Sequence, residues 1–97
     1  MIAWMPRFFM NFVDDLGVAT DSEGFEAADE TAARLIGMKA AGEIIADEFG
    51  AGRQTVAFML CLDDENHSRI GTLPVAASVA GFASPRFKLS IGTSSPP

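Results

Sequence analysis

The sequence predicts an α+β protein: one small β-β-α-β-β domain, with a mainly antiparallel four-stranded sheet, one helix packed on one face and a flexible C-terminal tail. Three stretches carry that reading. Arg7 to Val13 is dominated by aromatic and branched residues, Glu30 to Phe49 is dense in helix formers with no proline, and Gln54 to Leu62 is apolar on both parities.

The first stretch, Arg-Phe-Phe-Met-Asn-Phe-Val, reads as a strand because β-branched and aromatic side chains suit a pleated surface. Asp14-Asp15-Leu16-Gly17 is turn chemistry, and Val18-Ala19-Thr20 returns as a short second arm. Asp21-Ser22-Glu23-Gly24 is a further turn signal.

Asp29 is the expected N-cap of the helix, with Glu30 in the first turn where negative charge suits the dipole. Ala33, Gly37, Ala40, Ala41, Ile44, Ile45 and Phe49 form one stripe at helical spacing. The small residues in its middle allow a close approach to a sheet. Arg34, Lys39, Glu43 and Asp47 are expected to point away, with Glu30–Arg34 and Lys39–Glu43 spaced as i,i+4 pairs. Gly50 is the expected residue just past the helix end.

In the third stretch Val56, Phe58, Leu60 and Leu62 share one face, and Ala57, Met59 and Cys61 the other. A strand apolar on both faces is expected in the middle of a sheet. Asp63 to Ser68 reads as a polar reversal, and Arg69 to Val75 as the fourth strand. Pro74 cannot donate to a ladder and favours an edge or a strand end.

Composition narrows the function. The chain has 97 residues, 7 Lys and Arg against 13 Asp and Glu, a net charge of −6, and 48% apolar residues. That length allows one domain, and the apolar fraction excludes a wholly disordered chain. The acidic balance argues against a direct nucleic-acid binder and against an anionic membrane surface. One cysteine forms no intramolecular disulfide. No secretory pattern and no run of about 20 apolar residues is present, so the expected location is the cytoplasm. Residues 1–4 read as a lead-in, with Met5 as a second possible start, 5–79 as the domain and 80–97 as the tail. Within that tail Phe87, Leu89 and Ile91 alternate with Lys88 and Ser90, the pattern of a short strand or a docking segment.

Met5-Pro-Arg-Phe-Phe, Asp14 and Gly17, Asp21-Ser-Glu-Gly24, Ala32-Ala33-Arg34, Gly42-Glu-Ile-Ile-Ala-Asp-Glu48, Asp64-Glu65 and Thr72-Leu-Pro-Val75 follow one another in an order that resembles a family of small bacterial proteins. The family, frequent in rhizobia and their relatives, opens Met-Pro-Arg-Tyr/Phe-Phe and is catalogued as a domain of unknown function, number six-eight-nine-four. The resemblance spans Met5 to Val75. It supports the fold and implies no activity. Family members often carry Asp-Glu-x-Gly-Arg in the last reversal, whereas Asn66-His67-Ser68-Arg69 has no glycine.

Four candidate chemistries read better as structure. Asp14, Asp15, Asp21, Glu23 and Glu26 lack the spacing of a calcium loop and read as solvated turns. His67 is the only histidine and lies in an exposed reversal beside Asp63, Asp64 and Glu65, without a cleft. Cys61, between Leu60 and Leu62, reads as a small buried hydrophobe rather than a nucleophile. Gly50-Ala-Gly52-Arg-Gln-Thr55 follows a helix, whereas phosphate loops precede one. No catalytic residue, cofactor or metal ligand is expected, and the protein is read as a non-enzyme.

One helix covers one face of such a sheet. With Phe8, Met10 and Phe12 toward the helix, the other face carries Phe9, Val13, Met59 and Cys61, with Asn11 as its one polar member. These five residues are the expected interface, since monomers rarely leave such a patch bare. The expected function is protein association, by a homodimer through this face or with a small protein partner. The runner-up is an antitoxin-type partner-binding protein, because a hairpin, an Asp-capped Ala-rich helix and a strand are similar to part of the fold of HicB-like antitoxins.

Overall fold

In a computed structural model, which describes residues 4–82, the chain forms β1 (Arg7–Asp14), β2 (Gly17–Ala19), β3 (Phe25–Glu26), α1 (Glu30–Gly50), β4 (Thr55–Asp63) and β5 (Arg69–Ser78). The strands make one antiparallel sheet in the order β2-β1-β4-β5, with β3 pairing β1 on the side that β2 occupies further along. The α+β reading holds. The two-residue β3 is an addition that the short, polar Asp21–Gly24 neighbourhood does not announce.

The β1–β2 hairpin closes with Asp14 opposite Gly17, and the Asp14 side chain accepts the Leu16 N–H at 2.9 Å. This bond within the turn is what Asp contributes to tight reversals. Beyond β2 the edge strand is interrupted, and it resumes as β3 opposite Arg7 and Phe8.

Asp29 caps α1 as expected, its Oδ1 accepting the Ala32 N–H at 2.8 Å. The other end differs from expectation. Gly50 is still helical, and the residue with positive φ is Gly52, at +95°. The Arg53 N–H reaches the Glu48 carbonyl and the Gly52 N–H reaches the Phe49 carbonyl, which satisfies the last turn in a Schellman arrangement. The helix runs through Gly50, one residue past Phe49, with Ala51 as its cap, because the left-handed residue of this bonding is Gly52 and not Gly50. An Arg53–Glu48 ion pair of 2.6 Å closes the same turn.

Ala33, Gly37 and Ala41 are the buried residues of α1, so the helix lies close on the sheet. The core has two parts. Phe8, Ala27, Ala33 and Leu62 gather near the start of α1, and Ala41, Val56, Phe58 and Leu60 gather beneath its second half. Phe12 and Phe58 stack at 5.2 Å on this side of the sheet. Lys39, Glu43 and Asp47 point away as expected, whereas Arg34, half exposed, turns toward β5, where its Nη2 donates to the Ile70 carbonyl at 3.0 Å. The Glu30–Arg34 pair forms at 3.3 Å, while Lys39 and Glu43 form no ion pair among the described residues.

β4 is central, as its two apolar faces predict, and it pairs β1 on one side and β5 on the other. It runs one residue further than expected, through Asp63, which moves that residue out of the reversal and into the sheet. β5 lies at the edge, carries Pro74 opposite Met59 and continues past Val75 to Ser78. A bulge at Leu62/Asp63 sets Arg69 opposite Asp63. No helix among the described residues is long and apolar enough to cross a membrane. The alternating segment Phe87–Ile91 and residues 1–3 lie outside the described residues.

Candidate functional site

The face of the sheet opposite α1 is built by the odd-numbered residues of β1 and β4. Asn11 stands opposite Cys61, Val13 opposite Met59 and Phe9 opposite Asp63. Phe9, Asn11, Val13 and Met59 are half-buried, and Cys61 is a buried free thiol, 2% exposed. Among the described residues no helix or strand lies over this face.

The face is less apolar than expected, because Asn11 is not its one polar member. Asp63, 7% exposed, sits on it with a full set of partners. Arg69 Nε donates to Asp63 Oδ1 at 2.6 Å and Asn11 Nδ2 donates to Asp63 Oδ2 at 3.2 Å. The hydrogen bond to Asp63 raises the Arg69 pKa above its already high ordinary value. A carboxylate at this burial needs such pairing, since an unpaired buried charge is costly. The bulge is what brings Arg69 to it.

Asn11 extends the network to the far edge. Its Oδ1 accepts the Asp21 N–H at 2.9 Å, and Asp21 Oδ2 in turn accepts the Met10 N–H at 3.0 Å. Met10 lies between the residues that pair with β2 and those that pair with β3, so Asp21 replaces the missing strand at the interruption. Asp21 Oδ1 also accepts the N–H groups of Gly24 at 2.8 Å and Glu23 at 3.2 Å. Burial pushes the Asp21 pKa up. The N–H groups of Met10, Gly24 and Glu23 and the charge of Arg7 more than offset it, so the carboxyl is held below its ordinary 3.8. Asp21 therefore works inside the fold as an edge cap, where the sequence reads as a solvated turn.

His67 is the last part of the face. It adopts φ +61°, and its ring lies 4.5 Å from that of Phe9. The Asp64 side chain accepts the N–H groups of Asn66 and Ser68, each at 2.9 Å, and so holds the reversal that carries His67. His67 is thus a partial cover for Phe9. Its left-handed backbone is the conformation glycine adopts most readily, in the reversal where the resembling sequences often have one. The remaining apolar surface of the face is centred on Val13 and Met59.

The acidic residues do not converge on a cation site: among the described residues no three His, Cys, Asp or Glu side chains are grouped to hold a metal ion. The carboxylates of Asp14, Asp21, Asp29 and Asp64 each accept main-chain N–H groups.

A single antiparallel sheet backed by one Asp-capped helix defines a small α+β domain. The chain belongs to the family described as Domain of unknown function (DUF6894), whose model matches residues 7–76. No curated protein and no solved structure matches it.

Proposed function

We propose that this domain is a cytoplasmic protein-association module that self-associates through the sheet face opposite α1 and performs no catalysis of its own. The observation that carries this reading is the asymmetry of the sheet. α1 covers Met10, Phe12, Phe58 and Leu60, while Phe9, Val13 and Met59 on the reverse stay half-buried with no described element over them. Apolar surface of this kind, rimmed by polar groups, is what protein interfaces use. The rim here is Asn11, Asp63 and Arg69, whose hydrogen bonds to one another leave little polar desolvation to offset on association.

The test is the mass of the full chain in solution at micromolar concentration, beside Val13→Lys and Met59→Glu. A dimer that both substitutions convert to a folded monomer supports the reading. A wild-type monomer with no co-purifying protein overturns it. A stable mixed complex with a small basic protein, unaffected by either substitution, also overturns self-association and favours the antitoxin-type alternative.

A further inference from the structure

On the helix side of the sheet, between α1 and β5, lies a cleft of about 150 Å³ that the core leaves unfilled. Two glycines account for it. Gly37 of α1 and Gly71 of β5 both line the space, and neither presents a side chain to close it. A Cβ on Gly37 would find only Met10 Cε, at 3.5 Å, and one on Gly71 only Arg34 Nε, at 3.8 Å. Met10, Leu60, Leu62 and Leu73 supply apolar walls. A cleft of about this size has room for a single aromatic ring.

The one charged lining group is Arg34. Its Nη2 donates to the Ile70 carbonyl at 3.0 Å, which anchors the guanidinium to β5 beside the cleft. Its Glu30 partner is 3.3 Å away, and both side chains are about half exposed, so water and salt weaken that pair. The Nε and Nη1 groups have no partner among the described residues. An anchored guanidinium with free donors beside an apolar slot matches a carboxylate attached to a ring.

We propose that this cleft is a binding site for a small aromatic carboxylate, with the ring among Met10, Leu62 and Leu73 and the carboxylate on Arg34. The site lies on the opposite side of the sheet from the association face and does not depend on it.

The probe is benzoate, titrated into the full chain and followed by the methyl resonances of Met10, Leu60, Leu62 and Leu73, with benzyl alcohol as the uncharged control. The expected result is saturable shifts confined to those methyls, with benzoate bound about fivefold more tightly than the alcohol. Arg34→Gln is expected to remove that preference while the ring still binds, and Gly71→Val to abolish both by filling the slot. The proposal fails if benzoate produces no saturable shifts, if the shifts map to Phe9, Val13 and Met59, or if Arg34→Gln keeps the preference. Should Gly71→Val not fold, the Arg34→Gln comparison and the shift map still decide.

Discussion

The Asp21 carboxylate accepts the Met10 main-chain N–H at 3.0 Å, at the point where the strand beside β1 is broken between β2 and β3. A side chain there does what a strand residue does elsewhere along β1, and it does so with a charged acceptor, which makes a stronger bond than a neutral one.

Asp21→Ala leaves the Met10 N–H without its partner and frees the Glu23 and Gly24 N–H groups. The expected loss is about 1–3 kcal/mol of stability, measured by urea unfolding followed by circular dichroism. Asp21→Asn cannot serve all three donors with one acceptor oxygen and is expected to fall in the same range. An unchanged unfolding midpoint in both variants would show that the broken edge needs no cap.

Stability depends on pH through the same group. The folded Asp21 pKa lies below its ordinary 3.8, so the unfolded chain takes up the proton first as the pH falls. The stabilisation is therefore fully present above about pH 4 and is lost as the pH drops through the folded value. Unfolding midpoints across pH 2 to 6 should show a steeper acid limb in the wild type than in Asp21→Asn, at roughly constant ionic strength. Parallel limbs would mean that other carboxylates govern acid unfolding.

Gly24→Ala meets two obstacles. Its φ is +74°, and the new Cβ would stand 2.6 Å from the Phe8 carbonyl oxygen and 2.9 Å from Phe9 Cε1. The neighbouring atoms include main chain, so relief means moving β3 off β1. The expected cost is about 2 kcal/mol or more, with faster amide exchange in Phe25 to Ala27. A variant of wild-type stability and exchange would place the strain elsewhere.

The helix glycines should behave oppositely. Gly42 is exposed, and a Cβ there finds nothing within 4 Å. At Gly37 it finds only an ordinary contact with Met10. Alanine at either site is expected to stabilise by about 0.5–1 kcal/mol, because glycine is a poor helix former. Gly37→Ala also narrows the cleft beside β5. Lower thermal midpoints in both variants would contradict the packing described for α1.

Local elements were legible because their causes are local. The aromatic β1, the two-residue hairpin, the Asp29 cap and the small-residue stripe of α1 follow from residues a few positions apart. By type Gly50 and Gly52 are equal candidates for the left-handed residue past the helix end, and only the bonds of Gly52 and Arg53 back to the last turn choose Gly52, two positions beyond the expected Gly50. Asp63 read as part of a reversal because nothing adjacent to it shows that Asn11, 52 positions away, and a bulge-shifted Arg69 supply its partners.

The sequence by itself therefore determined the elements other than the two-residue β3, their order and the two apolar faces of β4, since periodicity and capping act over one or two turns of chain. Tertiary structure alone decided what the acidic residues do. Asp21 completes a broken sheet edge and Asp63 anchors a cross-sheet network, because a carboxylate's role depends on which distant N–H groups the fold brings to it. It also decided that Gly37 and Gly71 leave a cleft between them, since a missing side chain becomes a space only when the opposite wall is missing one too.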